Sequence, residues 1–213
     1  MSGSFRRRYA GLWLFGAALG YFEATIVVYL RQLYYPGGFR FPLREMPVDM
    51  LAVEVGREAA SLLLLLGVAI AAARSRRERW PVFFLTFGIW DIFYYLFLLV
   101  LLGWPSSPGT WDILFLIPVP WTSPVWAPVL VALLFVTVST IRLRRLEAVA
   151  PIGYRSCDIA LMVVGGLIVL LSFLWNALPV MECAVPSGFP LAVYIPGLLL
   201  MAAGSLRGVS DRR

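Results

Sequence analysis

The chain has 213 residues, 61% hydrophobic and 14% charged, and its net charge of +6 is carried by arginine without lysine. A soluble domain is nearer half apolar and a quarter charged, so the composition excludes an ordinary globular enzyme and points to one polytopic membrane domain over residues 1–213. With no histidine and no lysine, histidine-type triads, histidine metalloprotease motifs, serine–lysine dyads and the usual haem ligand are excluded.

Six apolar runs of membrane-spanning length follow in order, an all-α bundle. Span one, Tyr9–Leu33, opens after Arg6–Arg8. Its apolar region runs past Glu23 with no small-x-small cleavage site before it, so it reads as a retained span rather than a signal peptide. Gly16, Gly20 and Glu23 share one face with Val27 beyond, and the two glycines form a small-xxx-small pattern that invites a close helix neighbour.

Span two, Pro47–Ala73, carries Glu54, Arg57 and Glu58, with Ser61 extending the same helical stripe. A charge at bilayer depth costs at least ~2.5–3.5 kcal/mol on insertion scales, so this stripe must face other helices or a water-filled cavity. Span three, Trp80–Leu102, places Asp91 on a face with Tyr94 and Tyr95, whose hydroxyls can bond a carboxylate.

The segment Gly103–Ser123 has an apolar core too short to cross and is bracketed by prolines. It is expected to be either a short helix at the outer interface, with Thr110 as its cap and Asp112 in its first turn, or a re-entrant segment packed on protein, and in the enzyme reading Asp112 reaches in from this loop. Span four is Pro124–Ile141, span five Cys157–Leu178 and span six Leu191–Leu206, the last containing a Pro196–Gly197 break of the kind that lines some transport paths. Cys157 and Cys183 fall on opposite sides and are expected to stay free thiols.

Arginines crowd the N-terminus, residues 74–79, residues 142–155 and the C-terminus, all on one side of a six-span chain. By the positive-inside rule both termini are cytoplasmic, in a multi-pass protein of the cell membrane of bacterial inner-membrane type. Trp80, Trp104, Trp121, Trp126 and Trp175 fall near span ends, as an aromatic belt would. The basic charge belongs to topology, and no nucleic-acid partner is implied.

At ~1.5 Å per residue, Glu23, Glu54, Glu58 and Asp91 all lie between the midplane and the outer third. Four carboxylates face one guanidinium, so some must be protonated or hold a cation. The candidate ion- or substrate-binding set is therefore Glu23, Glu54, Arg57, Glu58, Asp91, Tyr94, Tyr95 and Asp112. Glu23, Glu54, Glu58 and Asp91 are the candidate metal ligands, and an all-oxygen set suits magnesium, calcium or manganese. The bland alternative is a structural lock built on a local Glu54–Arg57 pair.

Three functional classes fit. The first is a small cation- or proton-coupled transporter or channel, whose six spans would call for a homodimer to build inverted halves. The second is a membrane-embedded enzyme on a lipid or other apolar substrate, using carboxylates as metal ligands or as acid and base. The third is a non-catalytic subunit or scaffold whose polar core sets helix register. The wholly apolar inner half of span two, Leu62–Ala73, counts against a through-channel.

Overall fold

A computed structural model describes residues 3–44, 46–148 and 153–210. Its long helices are α1 (Gly3–Tyr34), α2 (Val48–Ala72), α3 (Arg76–Leu102), α4 (Trp126–Glu147), α5 (Ser156–Leu174) and, after the short α6 (Ala177–Met181), α7 (Leu191–Ser210). Six helical segments are long and apolar enough to cross a membrane, with α5 and α6 counted as one. Many large side chains on them point outward, among them Leu14, Leu63, Val100, Leu171 and Leu199, each more than half exposed. So much outward apolar surface suits lipid, and no soluble monomer carries it.

Two closely packed groups make up the bundle. Helices α1, α3 and α4 form one, with α2 packed on α3 and only loosely on α1; α5 and α7 form the other. Glycine allows both contacts. A Cβ on Gly20 of α1 would lie 2.9 Å from the Trp90 carbonyl oxygen of α3. A Cβ on Gly165 of α5 would lie 2.4 Å from the Met201 nitrogen of α7. Backbone-to-backbone approach of this kind replaces the hydrophobic drive that lipid removes. The break expected at Pro196–Gly197 is absent: α7 runs unbroken through both residues, and Gly197 instead meets Ile168 of α5 in the same contact, away from the cavity described below.

The helix starts and ends of α1, α3 and α4 meet at one end of the bundle, the arginine end. Arg8 of α1 grips Glu78 of α3, Arg74 donates to Glu147 of α4 at 2.7 Å, and Tyr9 bonds Thr140 at 2.7 Å. Arg142 stacks over Tyr154 at 4.1 Å, bringing the segment before α5 to the same end. Buried Glu78 was hidden in the sequence within a run of arginines.

At the opposite end the interfacial-helix alternative falls, because the segment forms no helix. Residues Trp111–Phe115 (β1) and Trp121–Pro124 (β2) form an antiparallel hairpin with a register irregularity between Ile113 and Phe115. Pro118 and Pro120 remove the amide donors a helix would need, while Trp, Ile and Phe favour an extended chain that pairs. Thr110 accordingly caps no helix; its hydroxyl accepts the Ser107 amide at 3.1 Å in the turn before β1. Span five reaches Met181 but is interrupted at Trp175–Asn176 between α5 and α6, and Asn176 ties the next loop by donating to the Gly188 carbonyl at 3.0 Å. Of the five tryptophans assigned to a belt, Trp80 and Trp175 are exposed, whereas Trp104, Trp121 and Trp126 pack inward.

Candidate functional site

Under the hairpin lies a cavity of about 480 Å³, walled by α1, α2 and α3, the loop between α1 and α2, the hairpin and the region of α6. All eight residues singled out from the sequence line it: Glu23, Glu54, Arg57, Glu58, Asp91, Tyr94, Tyr95 and Asp112. Because α2 stands off from α1, long side chains rather than backbone bridge the gap.

The helical stripes place these groups. Arg57 donates through Nε to Glu54 at 2.8 Å, one turn away on the same helix, and through Nη1 to Glu23 across on α1. Ser61 gives its hydroxyl to Glu23 and also reaches the Arg57 carbonyl at 3.1 Å. Glu58 stands 4.0 Å from the Arg57 guanidinium and accepts the Leu116 amide of the hairpin loop at 2.8 Å. The hairpin is thus pinned to α2 by the Glu58 carboxylate, a contact that the candidate binding set drawn from the sequence did not foresee.

The metal set does not converge in this geometry. Among the described residues, no group of three or more such side chains is placed to hold a metal ion. Arg57 occupies the middle of the three glutamates and already supplies their positive partner, and Asp91 belongs to a different part of the wall.

That part is built around Arg31 of α1, which the candidate set drawn from the sequence did not include. Arg31 donates to Asp112 at 3.3 Å and lies under the rings of Trp104, at 3.6 Å, and Phe39, at 4.6 Å. Its signal was present: Glu23, Val27 and Arg31 repeat at four-residue spacing, so the stripe that carries Glu23 continues to Arg31. Asp112 sits on β1, not in a helix turn, and is 2% exposed.

Burial raises the Asp112 carboxyl to about 6, against the opposing pull of Arg31, the Ile113 amide and the Tyr95 hydroxyl. Asp91 and Tyr95 of α3 line the same cavity. A folded value above the ordinary 3.8 means the protonated form favours folding. The contribution is complete below about pH 4 and is lost as pH rises through about 6, to the order of 2–3 kcal/mol. The Asp112→Asn variant is expected to flatten the wild-type stability profile between these pH values. Thermal unfolding across that range checks it; an unchanged slope would remove Asp112 as the titrating group.

Several polar atoms of this wall have no partner: Arg31 Nη1, Trp90 Nε1, Asp91 Oδ2 and Asp112 Oδ2 are all buried and unbonded. Below the cavity the core turns apolar. Leu19, Leu65 and Trp90 form a floor with Phe15, Leu62, Phe87 and Phe115 packed on it. Beneath that, Phe5, Leu12, Ala69, Val82, Leu85, Ile89 and Leu143 continue to the arginine end. Comparison of the chain with protein-family models, curated proteins and solved structures gives no match.

Proposed function

We propose that this is a membrane-embedded enzyme with a one-sided site, acting on a small amphiphile that enters from the hairpin end. The observation that carries this reading is the charged cavity above a continuous apolar floor. A volume of about 480 Å³ suits a small organic molecule or a lipid headgroup far better than a bare ion. Glu58 is the candidate acid or base. The Leu116 amide orients one of its oxygens at 2.8 Å, and the Arg57 guanidinium stands 4.0 Å away. A one-sided site needs no second copy of the chain. The arginine end faces the cytoplasm in this reading, by the positive-inside rule.

Cation- or proton-coupled transport is the competing reading, supported by the same buried acids. It requires a polar route past Leu19, Leu65 and Trp90, and a flux assay separates the two. Proteoliposomes under proton, sodium or potassium gradients are expected to leak no faster than protein-free vesicles. Mass spectrometry of a polar lipid extract incubated with the protein is expected to reveal a modified headgroup, formed about 10²-fold or more slowly by Glu58→Gln. Flux that depends on Glu58, with no product, would replace the enzyme reading by the transporter.

A further inference from the structure

We propose that the cavity binds a positively charged nitrogen, an organic ammonium, held between Asp91 and Asp112. The inference rests on the cavity being the functional site, and not on the class of reaction performed there.

Charge is the first ground. Five carboxylates line the cavity, from Glu23, Glu54, Glu58, Asp91 and Asp112, against the guanidiniums of Arg31, Arg44 and Arg57. Arg57 is taken up by Glu23 and Glu54, and Arg31 by Asp112. Among the described residues Asp91 has no cationic partner within ion-pair distance. A buried acid without a counter-ion is costly as an anion, and a bound cation removes that cost.

Unfilled bonding capacity is the second and independent ground. Asp112 is 2% exposed, and its Oδ2 is buried without a hydrogen-bond partner, while Arg31 Nη2 donates to Oδ1. Asp91 Oδ2 is buried and unbonded as well. Both carboxyls line the same cavity, one from α3 and one from β1. Two acceptor oxygens lacking donors match the several N–H groups of a primary ammonium.

The surrounding surface suits an organic cation rather than a metal. Trp90, Tyr94 and Tyr95 flank Asp91 on α3 and line the same cavity, offering ring faces that attract a cation. No three acid or thiol ligands converge on a point among the described residues, so a divalent ion lacks its shell. An anion would meet an excess of carboxylates. The ammonium can come from a free amine or from the headgroup of an aminophospholipid.

The test uses the purified full chain and a direct binding readout. Thermal unfolding and calorimetry are followed in detergent with ethylammonium chloride, and with sodium chloride, magnesium chloride and sodium phosphate as comparison salts. Ethylammonium is expected to raise the Tm saturably, with no such effect from the others. The Asp91→Asn variant, whose loss strands no ion-pair partner, is expected to bind at least tenfold more weakly; Asp112→Asn provides the same reading should Asp91→Asn fail to fold. The measurement is repeated in nanodiscs of phosphatidylethanolamine and of phosphatidylglycerol. Ethylammonium binding blocked only by phosphatidylethanolamine identifies the headgroup as the source, and equal binding in both identifies a free amine. No saturable shift, a shift that survives both substitutions, or a shift produced equally by magnesium or phosphate overturns the proposal. Each of those outcomes leaves the flux and turnover results untouched, so the two readings fail separately.

Discussion

Replacing Arg57 with methionine is expected to destabilise the protein by about 3–5 kcal/mol, the cost of stranding buried charges by removing their partner. The guanidinium serves Glu54 at 2.8 Å and Glu23 across the α1–α2 gap, and it is the nearest positive charge to Glu58. Without it, Glu23, at 3% exposed, and Glu54, at 5%, face each other with no cation. The informative comparison is the triple variant Glu23→Gln/Glu54→Gln/Arg57→Met. Replacing a whole buried ionic group by neutral side chains is often neutral or stabilising by about 1–4 kcal/mol. Thermal unfolding in one detergent should therefore rank wild type and triple variant together, well above Arg57→Met. If the single variant is as stable as wild type, the glutamates are already neutral and the charge balance described for the cavity is wrong. If the triple variant is stable yet loses turnover, the cluster serves function beyond register.

A second large effect is expected where no charge is involved. Gly165→Ala should cost about 3 kcal/mol, the upper end of the range for overpacking. Its new methyl would sit 2.4 Å from the Met201 nitrogen and 2.6 Å from the Gly197 carbonyl oxygen, both backbone atoms that no rotamer change can move. The two helices must separate, and the α5–α7 contact is the most extensive in the molecule. Gly166 is the internal control, because a Cβ there has only Met201 Sδ for a neighbour, at 4.0 Å. Gly166→Ala should be neutral or gain about 0.5–1 kcal/mol from the better helix former. Equal effects at the two positions would mean that α5 and α7 do not pack through this face.

Reading the site from the sequence worked where the rule was local. The four-residue stripe of Glu54, Arg57, Glu58 and Ser61 foretold a single inward face, and the glycine pair of α1 foretold close contact at Gly16 and Gly20. Depth along each helix foretold that acids from three spans would line one cavity. The same rule, carried two turns further along α1, leads to Arg31, whose position near a span end concealed it. Charge counting from the sequence left out a second guanidinium, Arg31, which pairs with Asp112 as Arg57 pairs with Glu23 and Glu54.

The six spans, their order and the one-ended crowding of arginines follow from composition and periodicity, because lipid demands a full helical turn count and satisfied backbone wherever the chain crosses. Non-local pairing lies outside what those signals contain. The register that lets Leu116 cover Glu58, the pairing of β1 with β2, and the seating of Arg31 on Trp104 and Phe39 each join residues distant in the chain. Such contacts depend on how far α2 stands from α1, and that spacing is set by packing among helices whose surfaces are all apolar and hence alike in any one-dimensional pattern.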